Sequence, residues 1–129
     1  MPKNLIKDYM SSPILSVDIN KTISEAAKFM MDNRTRSLLV KENENYVGIV
    51  TKTDFILRVY INENMDPELD LVSQIISKPV LSLDLNSSME EARKFMQKSK
   101  IGHLGVTDEG KIIGILSKKE LAAYFGKLT

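Results

Sequence analysis

Two segments of the chain end an apolar run with a hydroxyl and place a carboxylate three residues further on. The first reads Gly48-Ile49-Val50-Thr51-Lys52-Thr53-Asp54, the second Gly114-Ile115-Leu116-Ser117-Lys118-Lys119-Glu120. Where a strand runs into a helix, this spacing has a local use: the hydroxyl caps the helix and the acid sits at its third position. It also has a chemical use. The hydroxyl and helix amides can meet a phosphate while the carboxylate accepts from a ribose diol. The pattern alone leaves both uses open.

The two segments belong to a longer duplication. Residues 5–55 and 71–121 align at a constant offset of 66 without gaps, and 17 of the 51 pairs are identical. Others exchange like for like, such as Thr22 with Ser88 and Asp54 with Glu120. Two copies of so long a period do not make a solenoid. They predict two half-domains, and a pair of similar units creates a cleft of the kind small ligands use.

Other chemistries have little to work with. The chain of 129 residues has no cysteine, so disulfides, thiolate metal sites and a cysteine nucleophile are excluded. One histidine, His103, cannot build a multi-histidine metal site, and no metalloprotease, nucleophile-elbow, dinucleotide-binding or phosphate-loop motif is present. The expectation is a non-catalytic protein with no metal. A net charge of +1 gives no electrostatic case for nucleic acid as the main partner. No apolar run reaches transmembrane length, and the first ten residues lack a signal-peptide core, so the expected location is cytoplasmic, without membrane contact.

The elements that must position the two pairs repeat as well. In each copy a short helical piece, 5–10 or 71–76, stops before a proline, because the residue ahead of proline avoids the helical region. Extended segments follow at Ile14–Ile19 and Val80–Leu85. Thr22 with Glu25, and Ser88 with Glu91, then have capping-box spacing. Behind them Ile23, Ala26, Ala27, Met30 and Met31, and Met89, Ala92, Phe95 and Met96, recur at helical spacing and are expected in the core. Two strands around a polar turn and a closing helix, 54–60 or 120–125, complete each copy. Residues 62–70, acidic and carrying Asp66-Pro67, read as a linker between repeats at 1–61 and 71–129.

The ordered set resembles a known family. Ser11-Ser12-Pro13-Ile14, Thr22 to Met30, Ser37-Leu38-Leu39-Val40 and Gly48 to Asp54 are similar to the cystathionine β-synthase (CBS) domain, and Lys78 to Val80, Ser88 to Met96, Ile101 to Asp108 and Gly114 to Leu121 resemble it again. The resemblance implies a tandem pair, or Bateman module: a mixed α+β or α/β fold of two pseudo-symmetric β-α-β-β-α repeats packed through their sheets, with two clefts.

Such clefts bind adenosine-containing ligands (AMP, ADP, ATP, NAD or S-adenosylmethionine). Carried over by residue, one cleft would join Thr51 and Asp54 to Val80, Leu81, Ile101, Gly102 and His103. The other would join Ser117 and Glu120 to Ile14, Leu15, Thr35, Arg36 and Ser37. Asp54 would take the ribose, Thr51 and helix amides the phosphate, and backbone at Val80 and Leu81 the adenine edge. Arg36 and His103 are the best phosphate partners, since both donate hydrogen bonds to anions, although a lone histidine next to a strand is more often a structural or surface residue. Lys52, Lys118 and Lys119 read as a solvated helix face, with phosphate steering as the alternative. Two departures stand out: Glu120 replaces the family's aspartate, and Leu39 and Gly105 stand where it often has proline. The resemblance implies a regulatory ligand and no catalytic cofactor, a homodimer, and a regulated protein in trans. A ligand-independent assembly module, with Phe29, Met30, Met31 and Phe95 contributing to a dimer surface, is the alternative.

Overall fold

Each repeat builds a three-stranded sheet with the same pairing, in a computed structural model that describes residues 4–12, 14–61 and 64–126. In the first, β1 (Ser16–Asp18) runs parallel to β2 (Ser37–Glu42), which pairs antiparallel with β3 (Asn45–Thr51). In the second, β4 (Ser82–Asp84), β5 (His103–Asp108) and β6 (Lys111–Ser117) repeat that order at the same offset. Helices α1 (Ile23–Asp32) and α3 (Met89–Ser99) make the parallel crossovers. Helices α2 (Lys52–Phe55) and α4 (Lys118–Gly126) follow the last strands, two residues earlier than the expected closing helices. The mixed α+β class expected from the sequence is the one observed. Pro13 and linker residues 62–63 lie outside the described residues.

The middle strands bury consecutive residues, Leu38, Leu39 and Val40 in β2 and Leu104, Gly105 and Val106 in β5, so they are covered on both faces. Both crossover helices begin at the capping boxes read from the sequence. The Thr22 and Ser88 hydroxyls accept the Glu25 and Glu91 amides, and the glutamates accept the cap amides in return. Helix α1 buries Ile23, Ala26 and Met30. Met31, expected in the core, is 77% exposed instead, because it lies about 100° around the helix from Met30. Met30 is therefore core and not available to the dimer surface for which it was considered.

The compact units do not follow the repeats. One unit is Leu15–Val80; the other joins Met1–Ile14 to Leu81–Thr129. Each sheet thus receives the leading arm of the other repeat. The Ile49 amide donates to Ser77 O at 3.0 Å and the Ser77 amide to Ile49 O at 2.9 Å; Ser11 and Ile115 exchange the equivalent bonds at 2.8 and 3.1 Å. A 3₁₀ turn opens each arm, Ile6–Asp8 or Val72–Gln74, and buries Ile6 or Val72 fully.

Two glycines allow the arms to lie so close. A Cβ on Gly48 would stand 2.7 Å from Ile76 Cδ1 and 2.9 Å from Ser77 O. On Gly114 it would stand 2.7 Å from Met10 Sδ and 2.9 Å from Ser11 O. The linker is used in the same way. Pro67 and Asp70 carbonyls accept the Ser24 and Ile23 amides at 2.7 and 2.9 Å, satisfying donors that the first turn of α1 leaves unpaired.

Candidate functional site

Both hydroxyl–acid pairs sit where a strand becomes a helix. At the end of β3, Asp54 Oδ2 accepts the Thr51 amide at 2.8 Å and the Thr51 hydroxyl at 3.1 Å. The Thr51 oxygen accepts the Asp54 amide at 3.3 Å. The local capping use is therefore realised, and it engages one carboxylate oxygen. Oδ1 lies 3.6 Å from Arg58 Nε, one helical turn on, and the Asp54 side chain is 15% exposed.

At the end of β6, Glu120 Oε1 accepts the Ser117 amide at 2.8 Å and its hydroxyl at 2.9 Å. Here the Ser117 oxygen accepts the Lys119 amide at 3.2 Å, one position earlier than in the first copy. The longer glutamate reaches the same cap from a slightly different helix register. Among the described residues, no hydrogen bond uses Glu120 Oε2.

The sheets bring further expected residues to these strand ends, each from the same repeat as its acid. Ser37 is paired across from Thr51, and Arg36 O accepts the Lys52 amide at 3.0 Å. The Thr35 hydroxyl closes a small turn on Ser37 O at 3.0 Å. Leu15 O joins from the parallel side by accepting the Leu39 amide at 3.0 Å. In the other sheet His103 is paired across from Ser117, Gly102 O accepts the Lys118 amide at 2.9 Å, and Leu81 O accepts the Gly105 amide at 2.8 Å. Ile101 precedes that strand, with its amide on Met96 O at 3.1 Å. Ile14 and Val80 stand at the borders of the two units, each half-buried. Lys52, Lys118 and Lys119 are exposed, as a solvated helix face requires.

One residue escaped the sequence reading. Arg58 lies beside Asp54 and places Nη1 3.3 Å from Ile75 O and 3.4 Å from Ile76 O, so it ties the acid's helix to the arm on β3. The helix widens to a π turn here, Ile56–Tyr60, with the Ile61 amide on Ile56 O at 3.1 Å. The four-residue spacing from Asp54 was visible, but the matching position in the second copy is Tyr124, outside the shared motif. Tyr124 meets the arm differently, edge-on to Tyr9 with centroids 5.1 Å apart. The two sites therefore differ in charge beside the acid.

Among the described residues no cluster of histidine, cysteine and carboxylate could hold a metal ion, and no helix is long and apolar enough to cross a membrane. The strand ends offer hydroxyls, carboxylate oxygens and backbone groups, which suit binding better than bond-making.

A family model for the CBS domain matches the chain twice, at residues 6–61 and 72–127. The CBS domain-containing protein YhcV of Bacillus subtilis is 30% identical over 117 residues, 91% of this chain and 82% of YhcV. An uncharacterized conserved protein from Pyrococcus horikoshii has a crystal structure with TM-score 0.86 and 30% identity, covering 95% of this chain and 92% of that one. The CBS domain pair of protein MJ0100, crystallised with 5′-methylthioadenosine and S-adenosyl-L-methionine, shares the fold at TM-score 0.84 and 24% identity, covering 99% of this chain and 100% of that one.

Proposed function

Because the chain belongs to the CBS-domain family as a tandem pair, we propose that it is a non-catalytic regulatory module that binds adenosine-containing ligands at its two strand ends and signals to a separate protein. One observation carries the reading. Each acid spends a single oxygen on its own helix cap and keeps the other out of it, Asp54 Oδ1 and Glu120 Oε2. A ribose diol needs such an acceptor, held rigid by the first oxygen's bonds. The adenosine ligands of the MJ0100 pair support that ligand class in a protein of the same fold.

Asp54 and Glu120 would accept from ribose hydroxyls, and Arg36 and His103 would donate to phosphate. Arg58, already committed to the arm carbonyls, orients Asp54. Ligand binding regulates only if it favours one arrangement of the protein over another, so the partner reads a shift in population. A thermal-shift series against AMP, ADP, ATP, NAD and S-adenosylmethionine tests this, since a ligand that binds only the folded state raises the melting temperature. A shift that Asp54→Ala abolishes supports the reading; a shift that Asp54→Ala leaves unchanged removes Asp54 from the site.

A second reading has its own observation. Leu57, Tyr60 and Ile61 are 57%, 72% and 66% exposed within one short helical stretch, where an apolar surface suits self-association. We therefore propose a homodimer in the cytoplasm. Sedimentation tests whether it forms, and adding ligand tests whether assembly is ligand-independent.

A further inference from the structure

The helical stretch that follows Asp54 turns an apolar face to solvent. Phe55 and Val59 point into the core of the first repeat, while Ile56, Leu57, Tyr60 and Ile61 are exposed. The π turn over Ile56–Tyr60 gathers that face. It hydrogen-bonds the Ile61 amide to Ile56 O and so brings Ile61 back towards the line of Ile56. In a regular α-helix two residues five apart point about 140° away from each other. Such π turns are rare and recur at functional sites.

Met31 of α1 adds to it. In the second repeat its counterpart Gln97 lines one groove with Leu121, the counterpart of Phe55, so the repeat places Met31 beside the start of the Asp54 helix. These five side chains expose on the order of 600 Å² per copy, most of the roughly 800 Å² that each partner gives to a standard interface. The fold does not require them. Ala122, Ala123 and Gly126 stand where Ile56, Leu57 and Tyr60 do, Gln97 replaces Met31, and α4 runs through Gly126 as a regular helix. The core positions beneath stay apolar in both copies, Met30 with Met96 and Phe55 with Leu121. Only the first repeat therefore keeps large apolar side chains on this outer face.

Charge decides what covers it. Lys28 and Arg58, cations of the two helical stretches, are paired at home with Asp32 and Asp54. An apolar patch whose neighbouring charges are paired is complementary to itself, and two copies can meet on it across a two-fold axis without like-charge repulsion. We propose that the chain pairs isologously through this face of the first repeat, with residues 56–61 and Met31 of one copy lying on the same residues of the other; this rests on the homodimer reading above. The matching face of the second repeat, with its small side chains, Arg93 and Gln97, offers no such surface. The contact then falls on the stretch that carries Asp54 and Arg58, so association bears on the first candidate site rather than on Glu120.

The test is sedimentation velocity of the full chain across concentration, on the wild type, Leu57→Glu and Ala123→Glu. The last puts the same charge at the matching exposed position of α4, and circular dichroism checks that each variant folds. Every dimer takes up the substitution twice, so Leu57→Glu should weaken dimerisation about a hundredfold or more, while Ala123→Glu leaves it unchanged. Cross-linking fixes the symmetry. The chain has no cysteine, so Leu57→Cys carries a single thiol through which a short bis-maleimide should join two copies, and Ala123→Cys should stay unlinked. A dimer that Leu57→Glu leaves intact, or that both charged variants weaken equally, overturns the face. Sensitivity to Leu57→Glu without the Leu57→Cys cross-link makes the contact heterologous and overturns the two-fold pairing. Wild-type protein that stays monomeric at every concentration overturns the homodimer reading instead and gives the face to a different protein.

Discussion

Replacing Gly48 with alanine tests how the arm from the second repeat is held on the first sheet, and through it how Asp54 is positioned. The new methyl would stand 2.9 Å from Ser77 O, a backbone atom fixed by a reciprocal pair of hydrogen bonds to Ile49. Ile76 Cδ1, at 2.7 Å, can swing away; the carbonyl cannot move without stretching both bonds. Weakening two backbone hydrogen bonds costs up to about 2 kcal/mol. Crowding the buried Ile76 adds about 1–3 kcal/mol. Alanine lowers the entropy of the unfolded chain, offsetting roughly 0.5–1 kcal/mol. The net loss is about 3 kcal/mol, or roughly 12 °C in melting temperature for a chain of this size. Urea unfolding gives the loss, and amide exchange at Ile49 and Ser77 shows where it falls. Because Ile75 and Ile76 carbonyls hold Arg58, the same variant should weaken adenosine-ligand binding at Asp54. A loss below about 0.5 kcal/mol with unchanged exchange at Ile49 would refute the idea that the close approach matters.

Other outcomes follow from the same contacts. Thr22→Ala removes the cap of α1 and should cost about 1 kcal/mol by urea unfolding, with Ser88→Ala similar for α3. Arg58→Met breaks a half-exposed pair and two long hydrogen bonds, so its stability cost should stay under about 1 kcal/mol while ligand affinity at Asp54 falls further; denaturation and calorimetry separate the two. The backbone hydrogen bond from Thr22, then the Thr22 hydroxyl side, hold the Glu25 carboxyl below the ordinary glutamate value, and the Arg93 hydrogen bond does the same for Glu90. A carboxyl depressed in the folded state contributes stability above its unfolded value, lost as pH falls through the lower folded one. Stability should therefore decline on acidification below about pH 4, and Glu25→Gln should flatten that decline in denaturation curves taken across pH.

Much of this was legible from residue types. Thr22 with Glu25 and Ser88 with Glu91 announced their helices, because a capping box is a local interaction spanning three residues. The strand-end pairs were legible for the same reason. The exchange of arms was not, and the cause is the repeat itself. Leu5–Ser11 and Leu71–Ser77 share their spacing and several apolar positions, and each sheet offers the same glycine, Gly48 or Gly114, to an arm. Sequence similarity cannot tell a segment's own partner from its copy's. Arg58 was missed because it interrupts the symmetry, standing opposite Tyr124, whereas the reading followed what the copies share. Met31 was misplaced because it neighbours a buried methionine; the buried stripe of α1 runs Ile23, Ala26, Met30.

The most direct test is a calorimetric titration of the purified chain with AMP, ADP, ATP, NAD and S-adenosylmethionine, repeated on Asp54→Ala with its folding confirmed by circular dichroism. The account predicts saturable binding of at least one of these, weakened at least about tenfold at the Asp54 site by the loss of a charged ribose acceptor. Folded wild-type protein that binds none of them at millimolar concentration would contradict it and leave the assembly module as the function.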